Sequence, residues 1–304
     1  MSLDAIVFGN VTLDIICFPV NEVPRHESIA FDDVTISPGG CGSNTAIGLA
    51  ALGIPTGIVA HTGDDEAADL LFRYWEKVGV NPRFVQRSSG RSTGTSIGLI
   101  DDDFQPRFVH SPGANSTVSA EVIAPSIYAA AGARFFHIAG FFVLPNLFEQ
   151  VGDKLAEIHN LGITTSMDVV FNVRMDDPKL RKAFWSAIPH LDYFTANAHE
   201  AHRLTGEDDF RKAGEVLRER GAENVIIKLG AQGVYALSQS FSGIIPGTKV
   251  EVVDTTGAGD AFAAGFISSL ARGGEFQEAC ISGNHAGAKI CTRLGAITAW
   301  LDKK

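Results

Sequence analysis

Short apolar runs alternate with amphipathic stretches along most of this chain, and that alternation is its strongest constraint on fold. Residues 5–8 form an apolar run that ends at Gly9. Residues 44–52 have the character of a helix stopped by Gly53, and 57–60 are again apolar and β-type. Glu66–Val78 is amphipathic, with Asp64 or Asp65 placed to cap its start and Gly79 placed to end it. The pattern resumes with a strand near 134–138, a helix over 145–161, and strands at 163–167, 193–195 and 225–229. Such alternation predicts an α/β fold with a parallel sheet covered on both faces.

Two stretches break the pattern. Residues 15–37 and 81–112 lack long helical periodicity but contain short β-rich runs such as Thr95–Ile100 and 107–110. They read as a small β-sheet lid built from two insertions, or else as two surface loops. The expected division is therefore a core of 1–14, 38–80 and 113–304, with a lid of 15–37 and 81–112. The 304 residues suffice for a large domain with such an appendage.

The formal net charge of −10 argues against binding nucleic acid or anionic membranes through general electrostatics. It leaves phosphate binding open, because a local cradle of backbone N–H groups can hold an anion on an acidic protein. The four cysteines, Cys17, Cys41, Cys280 and Cys291, form no CxxC pair and no zinc spacing, so a reducing compartment, the cytoplasm, is expected. The first residues carry no signal-peptide pattern, and the apolar stretches at 47–60 and 135–144 are too short to span a bilayer.

Asp254-Thr255-Thr256-Gly257-Ala258-Gly259-Asp260 lies between a β-type run at 250–253 and an apolar, small-residue helix at 261–270. Small residues at a helix start let an anion approach N–H groups that lack intrahelical partners. Asp260 beside that position can bind Mg²⁺, take a proton from an attacking hydroxyl, or merely complement the helix dipole. No Gly-Lys-Ser/Thr follows, and Phe262 occupies the third glycine position of GxGxxG, so the loop is neither a Walker A loop nor a dinucleotide fingerprint. Pro38-Gly39-Gly40-Cys41-Gly42-Ser43-Asn44 also opens a helix. It reads as a backbone platform with Asn44 facing a polar ligand, or as a flexible connector; Cys41 reads as a small filler residue, or else as a reactive thiol near a site.

Together these segments resemble the ribokinase-like carbohydrate kinases, the PfkB family. The segment from Gly39 to Ala46, with Gly53 and Gly63 beyond it, resembles the N-terminal signature, and residues 254–267 resemble the C-terminal one. Asn197-Ala198-His199-Glu200 resembles the NxxE motif, and Lys228-Leu229-Gly230-Ala231-Gln232-Gly233 a nucleotide-side turn. The resemblance implies a three-layer α/β/α core with a β lid, and an ATP-dependent kinase acting on a hydroxyl, expected to be primary, of a sugar or sugar derivative. It implies Asp260 as general base and an anion hole at Gly257, Ala258 and Gly259. Asp14, Gly39, Gly40 and Asn44 would bind the sugar. Asn197 and Glu200 would place Mg²⁺ and phosphates through water, while Lys228, Gly230, Gly233 and Asn284 line the nucleotide side. Asp254 and Thr256 match part of a monovalent-cation site, for which K⁺ is the candidate ion.

Each role has a plainer reading. Asp14 can be a turn residue, Asn197 and Glu200 a capping box, and the nine histidines structural. Arg107 and Arg174 can meet an acidic sugar or be ordinary surface and lid charges. Residues 168–174 resemble a stretched form of an Asp-x-Asn-x-Arg run, and Gly140 and Phe141 stand where ribokinases carry an acidic contact, which speaks against ribose itself. A nucleoside kinase on the same scaffold is the alternative, a non-catalytic sugar-binding protein the third reading. An exposed β lid also suggests a homodimer, since sheet edges invite pairing.

Overall fold

A computed structural model of the chain describes residues 2–103 and 106–301. Residues 1, 104, 105 and 302–304 of the expected core and lid segments lie outside that set.

Nine strands build one sheet: β1 (Ala5–Gly9), β4 (Thr56–Gly63), β5 (Val80–Ser88), β8 (Phe135–Ala139), β9 (Thr164–Asp168), β10 (Tyr193–Asn197), β11 (Asn224–Lys228), β12 (Val234–Leu237) and β13 (Ser242–Ile245). Their order is β13-β12-β11-β10-β9-β8-β1-β4-β5. Every pairing from β11 to β5 is parallel, and β12 and β13 close one edge antiparallel. The central strand shows why both faces are covered. Ile6 and Phe8 enter one core with Phe136, whereas Ala5 and Val7 enter another with Ile58 and Phe262. A strand with no polar side chain on either face has to be buried on both.

A separate four-stranded sheet, ordered β3-β2-β6-β7, is built from β2 (Thr12–Phe18), β3 (Asp33–Gly39), β6 (Thr95–Ile100) and β7 (Pro106–Ser111). Strand β5, inside the expected lid segment 81–112, belongs instead to the large sheet, where it pairs with β4. Pro82 and a run of half-exposed positions suit it to that edge. Asn115 pins the crossings between the two sheets. Its side chain accepts from the Val11 N–H at 2.9 Å and donates to the carbonyls of Val11 at 2.7 Å and Pro112 at 3.0 Å.

Two other expectations shift. The helix expected over 145–161 starts at Val151, after Gln150 at φ 59, and ends at Asn160. Residues 250–253 are not a strand. Val252 and Val253 are exposed, and the Val253 N–H is tied to the Cys291 carbonyl at 2.8 Å rather than to the sheet.

Candidate active site

Two glycine-led helices meet at Asp260. Helix Cys41–Ala51 starts behind Gly40, and helix Ala258–Ala271 starts behind Gly257, at φ 83 and φ 76. Both angles lie in the left-handed region that favours glycine. Gly9 and Gly42 touch backbone to backbone, since a Cβ on Gly42 would stand 2.8 Å from the Gly9 carbonyl carbon. That crossing sets the first helix on the carboxyl end of β1, where ligands bind in parallel sheets.

Asp260 sits in the first turn of its helix and is 9% exposed. Its Oδ2 accepts from Asn44 Nδ2 at 2.8 Å. Burial, then the charge of Asp168, pushes Asp260 up to about 7, against the pull of Asn44, Lys228 and Cys41. The Asn44 Oδ1 is buried and has no hydrogen-bond partner among the described residues. Ala258 donates its N–H to the Thr255 carbonyl at 3.2 Å, whereas those of Gly257, Gly259 and Asp260 meet no protein acceptor among the described residues. The Lys228 ammonium lies beside Gly259, 3.2 Å from where a Cβ would stand.

On one side of the 254–259 loop is a narrow space of about 50 Å³ between the small sheet and residues 253–256 and 294–296, bounded by Asp14, Ile16, Ser37 and Phe108 and by Asp254 and Thr256. Asp14 is raised by burial, although Thr12 Oγ1 donates to it at 2.7 Å. Its carboxylate lies directly against Gly39, where any side chain would displace it. On the other side is a cavity of about 510 Å³, lined in part by Lys228, Gly230, Gly233, Ala258, Gly259 and Asn284. Asn284 Nδ2 donates to the Ile245 and Pro246 carbonyls at 3.3 and 3.1 Å, so it braces the cavity rim.

Asn197 and Glu200 do form a capping box: the Asn197 side chain accepts from the Glu200 N–H at 2.8 Å, and Glu200 Oε2 accepts from the Asn197 N–H at 2.6 Å. The Phe171 N–H reaches the other Glu200 oxygen at 3.2 Å. Asp254 accepts from the Thr256 N–H and hydroxyl at 2.9 and 2.7 Å and from the Gly295 N–H at 2.8 Å. Arg107 is a lid fastener, donating to the Val20 and Asn21 carbonyls at 2.6 and 2.8 Å. Arg174 is half-buried, and its positive charge reaches His110, which hydrogen-bonds Ser96 beside Asp14.

Sequence reasoning missed two residues at this centre. Cys41 is more than filler, since its thiol packs on Gly140 and it opens the helix that carries Asn44 to Asp260. Asp168 was noted only within a resemblance, although its place at the carboxyl end of a parallel strand was a usable signal.

The pfkB family carbohydrate kinase model matches residues 2–304. The chain is 29% identical over 309 residues to the 2-dehydro-3-deoxygluconokinase of Bacillus subtilis, covering 95% of this chain and 89% of that one. It is 31% identical over 264 residues to the ATP-dependent ribose-1-phosphate kinase of Halopiger xanaduensis, covering 86% and 83%. The crystal structure of ribokinase from Thermotoga maritima superposes with a TM-score of 0.83 at 29% identity, covering 98% of this chain and 95% of that one. These matches define an ATP-dependent phosphotransferase acting on small molecules. The chain belongs to the pfkB family of carbohydrate kinases.

Proposed function

We propose that the chain transfers the γ-phosphate of ATP to a hydroxyl, expected to be primary, of a sugar or sugar derivative. The observation that carries this is the position of Asp260, a buried carboxylate in a helix start whose leading residues, 254–259, border two separate cavities. Asp14, with Gly39 and Gly40 behind it, and the unpaired Asn44 Oδ1 would hold sugar hydroxyls. Asp260, also held by Asn44, takes the proton of the acceptor. The free amides of Gly257, Gly259 and Asp260 receive the migrating phosphoryl group; Ala258 contributes its place in the turn. ATP would lie along Lys228, Gly230 and Gly233, with Asn284 shaping the wall.

Mg²⁺ travelling with the nucleotide would neutralise phosphate charge. Among the described residues no cluster of three His, Cys, Asp or Glu side chains can hold a metal directly, so Asn197 and Glu200 suit such an ion only through water, the habit of Mg²⁺. Asp254 and Thr256 mark the candidate monovalent-cation position, which comparison of activity in K⁺ and Na⁺ buffers tests.

The small sheet acts as a lid that excludes water once the sugar is bound. Its outer face carries a cross-strand row of exposed Ile36, Ile97 and Val109. That row supports a homodimer through the lid, to be checked by light scattering. Four unpaired thiols support a cytoplasmic location, and no described helix is long and apolar enough to cross a membrane.

An ADP-release screen across sugars, sugar acids and nucleosides tests the substrate class; preference for adenosine or inosine would move the assignment to a nucleoside kinase. Asp260→Asn should lose roughly 10²–10⁴ in turnover while its melting curve stays cooperative. Near-normal turnover would remove Asp260 from the base role.

A further inference from the structure

Behind Asp260 lies a second buried carboxylate that the proposed transfer step does not use. Asp168 closes β9 and is 2% exposed. Its Oδ1 accepts the Gly140 N–H at 2.5 Å, and its Oδ2 lies 3.6 Å from Nε2 of His137. That histidine is itself 2% exposed, and its Nδ1 is paired with Ser166 Oγ at 2.9 Å. The backbone does the placing, since His137 and Ser166 are register partners on β8 and β9, and Gly140 follows β8 at φ 67. Gly140 then packs on Cys41: a Cβ there would stand 2.8 Å from Sγ. Cys41 opens the helix whose Asn44, in the same first turn, holds Asp260 at 2.8 Å. A chain of contacts therefore runs from Asp168 through Gly140 and Cys41 to the helix start that holds the proposed base.

We propose that Asp168 is a positioning residue for phosphoryl transfer: held by the Gly140 N–H with His137 beside it, its fixed negative charge stands behind Cys41 and sets how readily Asp260 takes a proton. The proposal rests on Asp260 being the base. The charged and titratable groups around the pair are Lys228 and Cys41 on the Asp260 side, and His137, Lys228 and Glu200 on the Asp168 side. Burial pushes Asp168 upward, but His137, Lys228 and the Gly140 N–H outweigh it and hold the group below its ordinary value. Asp260 moves the opposite way. Two adjacent carboxyls driven apart in this manner divide into a permanent anion and a proton acceptor. Lys228 tempers both, and it also lines the cavity assigned to ATP.

The test is the pH profile of kcat/KM for the sugar in wild type, Asp168→Asn and His137→Gln, with Asp260→Asn as reference. Asparagine keeps an oxygen for the Gly140 N–H and removes only the charge. The acid limb of D168N should move down by at least one pH unit, with lower turnover on the alkaline plateau and a sugar KM within about twofold of wild type. H137Q loosens the clamp and should move the limb the same way by less. An acid limb unmoved in D168N, with only a uniform loss of turnover, overturns the proposal. If D168N does not fold, an unmoved limb in H137Q overturns it equally. A normally active D260N would instead sink the base assignment, so the two failures are distinguishable.

Discussion

The two glycine-led helix starts look alike in sequence and differ in what they do with their amides. Both begin after a glycine in the left-handed region, and neither has a side-chain cap. At the first, Asn10 closes the turn: its side-chain oxygen accepts the Cys41 N–H at 3.1 Å and its carbonyl accepts the Gly42 N–H at 3.0 Å. At the second, the amides of Gly257, Gly259 and Asp260 meet no acceptor among the described residues. Small residues at a helix start thus create a possibility, and neighbouring acceptors decide its use. The first start becomes a fixed seat for Asn44, whereas the second keeps amides open for the phosphoryl group proposed above.

The largest effect that sharpens this contrast is at Gly257. An added Cβ would stand 2.6 Å from that of Ala296, in a backbone conformation alanine resists. Gly257→Ala should tilt the helix start and lower turnover by about 10²–10³, the scale of losing an oxyanion donor. Single-turnover kinetics with saturating ATP reads this, and unchanged turnover would break the distinction. The mirror experiment is Asn10→Ala, which orphans the Cys41 N–H. It should cost about 1–3 kcal/mol in denaturant unfolding and change turnover only a few-fold. If activity collapses while stability holds, the first start is itself part of the chemistry.

The remaining test, which leaves turnover aside, is a pH linkage. Asp260 has its carboxyl raised in the folded state to about 7, above the ordinary 3.8. Such a group favours folding below its unfolded pKa and loses that contribution as pH rises through the folded one. Asp260→Asn should therefore gain stability relative to wild type between pH 4 and pH 8, by no more than about 4 kcal/mol. A stability difference that stays flat across that window contradicts the buried, raised carboxyl.

Much of this molecule was legible before its structure. Glu66–Val78 is the clearest case: Asp65 caps it, Gly79 ends it in the left-handed region, and both residues advertise those roles chemically. The strand β1 was equally plain because all five residues are buried. Strand β5 was not, since proline and charged side chains on an edge strand look like a loop when the partner strand is unknown. The run at 250–253 failed in the opposite direction, because β-type side chains do not make a strand without a neighbour to pair with. In the site, Asp260 and Asn44 announced themselves through local glycine patterns. The clamp on Asp168 could not, because His137, Gly140 and Asp168 are brought together only by register between β8 and β9.

Asn115 joins chain segments that enter and leave the small sheet, holding the backbone at Val11 and at Pro112 with a single amide. If the small sheet closes over the proposed sugar site, its first and last segments would move together, because this one amide binds them to each other.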